Sequence, residues 1–355
     1  MLDRQAFQTH QGTQLICGQE LLDSVWPWAT GIPDALPNLS GVPHGRIGMT
    51  EVNQIETTTH MFRNWDNLYG GGLSREAVIG QLKWAASLLD GPYTEPVGRA
   101  LFRAVADLAS VAGWMSFDVG LHAAAQHYFV LGLHAAKEAG DRNLGAHLLN
   151  CMARQSSHLQ RPDDALELIH LAQYGARHTG TATTAAVLYS LQARFCAMLG
   201  DTRECHRAAG RAEDVFDDAK PADDPVWVAY FDRSEYAATL GVVHLILAQQ
   251  ADDPTSAGRA ISLLTQAIHA RGSQRVRSRA FDHIALARAY LAEGELDGAN
   301  QAAAIALQVL PDLNSARVQD RLRELYDDTH RHQHEPTIAE IRDRLQTSLH
   351  LTDLE

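Results

Sequence analysis

The chain has 355 residues, of which 45% are hydrophobic, so it holds enough apolar material for an ordered core and lacks the composition of a disordered protein. Its 30 lysines and arginines face 43 aspartates and glutamates, and the formal charge of −13 argues against a surface that follows a nucleic-acid backbone. No apolar run approaches the ~18 residues of a membrane span, and the N-terminus lacks the pattern of a signal peptide. We therefore expect a cytoplasmic protein that binds neither membranes nor nucleic acid.

Residues 1–47 differ from the rest of the chain in their proline content. Closely spaced prolines are incompatible with a continuous helix, so the sequence predicts an extended, proline-rich segment that Trp26 and Trp28 anchor. These prolines are Pro27, Pro33, Pro37 and Pro43. Residues 48–327 are rich in Ala, Leu, Arg, Glu and Gln and predict a helical repeat domain. Residues 328–355 are predicted to form a tail and a last amphipathic helix that caps the repeats.

Three consecutive glycines, Gly70 to Gly72, end the first predicted helix of the repeat domain. A phosphate-binding loop would follow a strand and carry GxGxxG or a GK[ST] ending, whereas here a predicted helix precedes the glycines. The sequence therefore predicts a turn between two helices, with at least one glycine at positive φ, and no nucleotide site. Arg63 and Asp66 are expected to fix this first helix against the next by hydrogen bonds.

A repeat becomes visible when the glycines that separate pairs of helices are aligned. The small residues Ala125, Ala165 and Cys205 recur about 40 residues apart, and further units surround Ala260 and Ala299. Small residues let two antiparallel helices approach closely, and a left-handed turn ends the first helix of each pair. The pattern resembles the tetratricopeptide repeat, whose usual length is about 34 residues. We predict an all-α fold, a right-handed tetratricopeptide-like α-solenoid of stacked antiparallel helix pairs; a helical bundle without repeats is the alternative.

Motifs for catalysis and metal binding are missing from the sequence. The segment HRHQH brings His330, His332 and His334 together, but ligands two residues apart point in different directions on a helix, and a solvated tail explains them. There is no GxSxG, no HExxH and no CxxC. We predict no catalytic residue, no metal site and no cofactor. An enzyme of secondary metabolism that uses the groove of the solenoid as its active site is the alternative.

Polar and aromatic residues on the first helices of successive units are the candidates for ligand binding. Their helices line the concave surface of a tetratricopeptide solenoid, and His147, Asn150 and Arg154 have the spacing of one helical face. For Trp114 and Tyr230, packing between repeats is the alternative to a ligand contact, whereas an arginine such as Arg154 is not typical core material. The candidates are Trp114, Asp118, His147, Asn150, Arg154, Tyr189, Arg194, Tyr230 and Glu235.

Longer motifs make most of the chain similar to the C-terminal sensor region of actinobacterial helix-turn-helix transcription regulators. The motifs are RIGMTEV (46–52), MFRNWDNLYGGG (61–72), PVGRALFRAVADLASVAGWMSFDVG (96–120), AQHYF (125–129), MARQ (152–155), WVAYFDRSE (227–235) and VRSRAF (276–281). Those regulators carry an N-terminal DNA-binding domain, a proline-rich linker and a tetratricopeptide sensor region. The resemblance adds Arg63, Asp66, Tyr69, Asp232 and Arg279 to the candidate residues.

The resemblance implies a non-enzymatic regulatory module that binds a peptide, a protein segment or a small molecule on its concave face. Residues 1–25 hold too little apolar material for a DNA-reading domain, so we expect no direct DNA binding by this chain. Whether a DNA-binding partner or an N-terminal domain missing from this chain cooperates with the module stays open, as does the formation of a homodimer.

Overall fold

The computed structural model describes residues 14–30, 45–72, 74–251, 254–273, 275–308 and 315–349, and these residues form fifteen α-helices and no β-strand. The predicted all-α class is therefore confirmed. The helices are α1 (Gln19–Thr30), α2 (Met49–Tyr69), α3 (Arg75–Ser87), α4 (Glu95–Asp118), α5 (His122–Glu138), α6 (Arg142–His158), α7 (Pro162–Ala176), α8 (Ala182–Met198), α9 (Thr202–Asp217), α10 (Arg233–Ala251), α11 (Pro254–Ala270), α12 (Val276–Glu293), α13 (Leu296–Gln308), α14 (Ala316–Asp328) and α15 (Pro336–Leu349).

The chain divides into two compact units. Unit 1 holds the described residues of Met1–Asp66, Gly71–Leu188 and Asp214–Ala229, and unit 2 holds those of Asn67–Gly70, Tyr189–Glu213 and Tyr230–Glu355. In unit 1, the first helices α4 and α6 pack on the second helices α5 and α7, and α4 also contacts α6. In unit 2, α10 packs on α11 and α12 on α13, and α12 also contacts α10 and α14. Helices adjacent in sequence therefore form pairs, as in an α-solenoid.

Left-handed turns end the first helices of three successive pairs. Gly120, Gln160 and Gly200 have φ angles of 82°, 59° and 78°. In each turn the next residue's N–H donates to a carbonyl of the last helical turn, which is the hydrogen-bond pattern of a Schellman motif. These bonds run from Leu121 to Ser116, from Arg161 to Ser156 and from Asp201 to Cys196, each at 2.9 Å. The predicted turns and their interval of about 40 residues are confirmed.

Gln160 gives a direct measure of the cost of such a turn. A side chain at positive φ costs roughly 1–2 kcal/mol, which glycine avoids. Gln160→Gly should therefore raise the free energy of unfolding by about 1 kcal/mol, because Gln160 is exposed and loses little else. Urea denaturation followed by circular dichroism checks this. The matched control is Gly200→Ala: a Cβ there meets nothing within 4 Å, so a loss of about 1 kcal/mol would come from the backbone alone.

The glycine run forms the turn between α2 and α3, and Gly70 has a φ of 82°, so the predicted positive φ is confirmed. The Gly71 N–H donates to Oδ2 of Asp118 at 3.1 Å. A Cβ on Gly71 would lie 2.6 Å from the carbonyl oxygen of Met115. The absence of a side chain therefore lets the backbone of this turn approach helix α4 closely, which explains the glycine without a ligand.

Residues 19–30 form helix α1, so the prediction of an extended segment over residues 1–47 is wrong in this stretch. Leu21, Val25 and Trp28 follow a helical spacing and are at most 2% exposed, and burial of this apolar stripe stabilises the helix although it contains Pro27. Trp28 is an anchor as predicted, whereas Trp26 is 55% exposed. The prolines at positions 33, 37 and 43 lie outside the described residues.

Helix α4 is the core helix of unit 1. It has 24 residues, and it is the one helix in the described part of the chain with the length and apolar composition of a membrane span. Most of that span is buried inside the protein, with Leu101, Leu108 and Met115 at 0% exposure. Contacts with α3, α5 and α6 cover it, so its apolar character is explained by its position in the core.

The predicted C-terminal helix is present as α15, and it packs on α13 and α14. Ile338, Ile341 and Leu345 are at most 1% exposed. Between α14 and α15 a 3₁₀ helix, Thr329–His332, replaces part of the predicted loop.

Across the residues that the structure describes, no group of three or more His, Cys, Asp or Glu side chains has an arrangement that could hold a metal ion.

Candidate ligand-binding site

Helices α2, α4 and α6 of unit 1 bring charged, aromatic and sulfur-containing side chains together. We call this set the Arg154 cluster. It consists of Arg63 from α2, Asp107 and Trp114 from α4, and His147, Cys151 and Arg154 from α6. Three of the predicted ligand-binding residues, Trp114, His147 and Arg154, are among its members, so these three side chains lie close together.

The contact between Arg154 and Trp114 joins α6 to α4. The guanidinium carbon of Arg154 lies 5.1 Å from the centroid of the Trp114 ring, within the range of a cation–π interaction. Both side chains are half-buried. The indole face therefore orients the guanidinium and leaves part of both groups at the surface.

Arg63 is held by a carboxylate that the sequence did not predict as its partner. Its Nη2 donates to Oδ1 of Asp107, and the two side chains are 21% and 12% exposed. The Ser110 hydroxyl donates to the backbone carbonyl of Asp107 at 2.7 Å. Arg63 was expected to bind the next helix, α3, but it reaches α4. The two residues are 44 positions apart in the sequence, so no helical spacing pattern could have predicted this ion pair.

His147 lies within electrostatic range of both arginines. Burial, followed by the positive charges of Arg63 and Arg154, lowers the pKa of His147 to about 3. The imidazole is therefore neutral at physiological pH. The cluster therefore brings two guanidiniums, those of Arg63 and Arg154, close to one neutral imidazole.

The pair formed by His147 and Cys151 has the residue types of a catalytic dyad. Nε2 of His147 lies 3.7 Å from Sγ of Cys151, one helical turn away. Cys151 is only 3% exposed, so its sulfur is not presented to a substrate. This geometry favours packing over nucleophilic catalysis.

A group of aromatic rings adjoins the cluster at the ends of α4 and α6. The Phe117 ring centroid lies 5.5 Å from that of Trp114 and 5.3 Å from that of His158, and His122 and His158 are 5.8 Å apart. Sequence reasoning missed these three residues. The spacing of Trp114 and Phe117 on one side of α4 was the available signal, but the two histidines come from other helices. The rings extend the apolar side of the Arg154 cluster.

Two further candidates from unit 1, Asp118 and Asn150, are more deeply buried, at 0% and 2% exposure. Asp118 accepts a hydrogen bond from the Gly71 N–H, so it holds the turn that precedes α3. Asp66 is likewise buried, at 5% exposure. These positions favour a structural role over contact with a ligand.

Glu235 and Tyr230 belong to a polar network in unit 2. Glu235 accepts from Nη1 of Arg271 at 2.9 Å, and the Tyr230 carbonyl accepts from Nη1 of Arg275 at 2.7 Å. Asp232 also lies 3.2 Å from Arg275. Arg271, whose side chain is 0% exposed, is the residue around which this network forms. Glu235 is therefore a partner of a buried cation, a role that its position in the sequence does not reveal.

The remaining candidates lie on half-buried positions of unit 2, except for the exposed Tyr69. The Arg211 guanidinium carbon lies 5.8 Å from the Tyr189 ring centroid. Burial acts to raise the pKa of Glu324, but the positive charges of Arg321, Arg288 and Arg194 outweigh it and lower this pKa below its ordinary value. Arg279 acts on the neighbouring His283, whose pKa is lowered first by burial and then by this charge.

The structure thus places Trp114, His147 and Arg154 in the Arg154 cluster of unit 1, together with Arg63. The other candidates Tyr189, Arg194, Tyr230, Glu235 and Arg279 belong to unit 2. Convergence of all these residues on one surface stays a prediction.

A scan against protein-family models gave no match, and a search of curated proteins gave no significant match either.

Proposed function

We propose that the protein is a non-enzymatic binding module with a regulatory role, and that its helix pairs form a right-handed tetratricopeptide-like solenoid. The motifs shared with the sensor regions of helix-turn-helix regulators support the regulatory role. Paired helices that repeat about every 40 residues, with left-handed turns between them, support the repeat type. In such repeats the first helices carry the ligand, and α4 and α6 are first helices.

The ligand that fits the Arg154 cluster is a peptide or protein segment with a carboxylate. A guanidinium presents a rigid fork of donors that matches a carboxylate, and Arg63 and Arg154 both act on the same histidine. The half-buried ring of Trp114 offers an apolar surface to the rest of the peptide. The observation that carries the proposal is this half-buried Arg154, stacked on Trp114 beside a second arginine and a neutral histidine.

Arg154→Ala should weaken the binding of such a peptide by about 1.5–3 kcal/mol, the range for a hydrogen bond to a charged group. This corresponds to a roughly 10- to 150-fold higher Kd. The probes are peptides selected by the wild-type protein from a library of random short sequences with free C-terminal carboxylates. Isothermal titration of the selected peptides against the wild-type and variant proteins gives the two dissociation constants.

Arg177→Ala is the matched control. The Arg177 guanidinium carbon lies 4.1 Å from the Tyr174 ring centroid, so this variant loses the same type of contact at another site on unit 1. It should bind the selected peptides like the wild type, and amidated versions of the peptides should bind weakly to all three proteins. A Kd for Arg154→Ala within twofold of the wild-type value, or an equal loss in Arg177→Ala, would refute the assignment.

A further inference from the structure

Residues 14–30 lie against the helices of unit 1 through contacts that recognise their backbone. The Ile16 N–H donates to Oε1 of Gln126 at 3.0 Å, and Nε2 of Gln126 donates to the Ile16 carbonyl at 2.9 Å. Gln126 is 4% exposed and lies on α5. The carboxamide therefore forms two hydrogen bonds with the main chain of one residue, as a neighbouring strand would, which is a common way to hold a peptide.

A second contact fixes the backbone at Gly18. Its φ is 57°, and its N–H donates to Oδ2 of Asp164 at 3.1 Å. Asp164 is 8% exposed, and Nε of Arg161 donates to the same oxygen at 2.6 Å. Because few residues other than glycine adopt this conformation readily, the contact selects for glycine at this position.

Trp28 fills a slot between two glycines of different helices. A Cβ on Gly145 of α6 would lie 2.1 Å from Nε1 of Trp28, and a Cβ on Gly175 of α7 would lie 1.9 Å from Cη2. Arg142 donates from Nη1 to the Trp28 carbonyl at 3.0 Å, and its guanidinium carbon lies 5.4 Å from the ring centroid. The indole is 2% exposed, so the slot holds one large aromatic anchor.

We propose that the surface formed by Gln126, Arg142, Gly145, Asp164 and Gly175 is a peptide-binding site, which residues 14–30 of the same chain occupy as an intramolecular ligand. Pairing with main chain, selection for one glycine and a tight slot for one tryptophan are features by which proteins recognise peptides. All three are supplied by α5, α6 and α7. The partner that fits is therefore a segment with the sequence features of residues 14–30, and its attachment to the chain gives it a high effective concentration. The site is separate from the Arg154 cluster and does not depend on the function proposed there.

The test uses the full chain with Trp28→Ala and a synthetic, fluorescein-labelled peptide of residues 14–30. The alanine leaves the slot empty, so the peptide should bind this variant at least about tenfold more tightly than the wild type, whose own segment competes for the site. A peptide that carries Trp28→Ala should bind at least about tenfold more weakly than the native peptide, because it lacks the anchor. Fluorescence anisotropy measures all of these affinities.

A change in the slot distinguishes specific from general binding. Gly175→Ala, added to Trp28→Ala, should abolish binding of the native peptide because the new Cβ fills the position of the indole. The matched control is Gly80→Ala, whose Cβ meets nothing within 4 Å and which should leave binding unchanged. If circular dichroism shows that Trp28→Ala has lost its helices, Ile16→Pro replaces it, since proline lacks the N–H that Gln126 accepts. No binding to the folded variant, equal binding to variant and wild type, or full binding to the Gly175→Ala chain would overturn the proposal.

Discussion

Replacing Arg271 with alanine is expected to lower the free energy of unfolding by about 3–5 kcal/mol, the range for removing one partner of a buried ion pair. The Arg271 side chain is 0% exposed. It donates from Nε to Asp282 at 2.5 Å and from Nη1 to Glu235 at 2.9 Å. The variant removes the cation that both carboxylates contact, and Asp282 is itself only 4% exposed. Urea denaturation followed by circular dichroism measures the loss.

This loss should depend on pH. Burial raises the pKa of Asp282 to about 7, although Arg271 acts in the opposite direction. Because the folded protein holds this proton more tightly than the unfolded chain, the contribution of Asp282 to the free energy of unfolding falls as pH rises from 3.8 to about 7. Without Arg271 the folded pKa rises further and the fall continues to higher pH. The deficit of Arg271→Ala relative to wild type should therefore be larger at pH 8 than at pH 5.

Arg323→Ala is the control for Arg271→Ala. It breaks the ion pair between Arg323 and Asp320, whose side chains are 48% and 39% exposed. Exposed pairs contribute at most about 1 kcal/mol. A loss below about 1 kcal/mol for Arg271→Ala, or an equal deficit at the two pH values, would contradict the importance assigned to the buried arginine.

His147→Gln should remove a loss of stability in acid. The folded pKa of His147, about 3, lies below the ordinary value of 6.5 for histidine. The contribution of the neutral imidazole is therefore complete above pH 6.5 and is lost as pH falls toward 3, because the unfolded chain then binds the proton first. Through this residue the wild type should lose about 2 kcal/mol by pH 5 and about 3 kcal/mol by pH 4.

Urea titrations of both proteins at pH 8, 5 and 4 measure this effect. At pH 8 the two free energies of unfolding should be similar, since glutamine replaces a neutral ring. At pH 5 the variant should have gained about 2 kcal/mol relative to the wild type. Stability curves that run parallel from pH 8 to pH 4 would show that His147 is protonated as easily in the folded protein as in the unfolded chain.

The features of the fold that depend on local sequence were predictable. The turns at Gly120 and Gly200 follow from glycine, and Gln160 was placed in the same turn by the repeat interval, although its residue type gave no such signal. Helix α1 was not predicted, because Pro27 lowers the local helix propensity. The packing of Leu21, Val25 and Trp28 on unit 1 outweighs that penalty.

The candidate site was also predictable only where it depends on local sequence. His147 and Arg154 share one helix, so their spacing revealed a common face. Contacts between different helices produce no regular spacing in the sequence. The ion pairs of Arg63 with Asp107 and of Glu235 with Arg271 were therefore not predicted. Glu235, which the sequence predicts as a ligand contact, is instead part of the buried network around Arg271. Residue type suggested a polar site, and tertiary structure decided which polar groups are at the surface.

The position of a bound carboxylate tests the proposed function most directly. A crystal structure of the wild-type protein with a peptide selected from the free-carboxylate library would show it. We expect the carboxylate within hydrogen-bond distance of the Arg154 guanidinium, with Arg63 nearby and the adjoining side chain against Trp114. A peptide bound elsewhere on the protein, with the Arg154 cluster unchanged, would contradict the assignment of this cluster as the ligand-binding site.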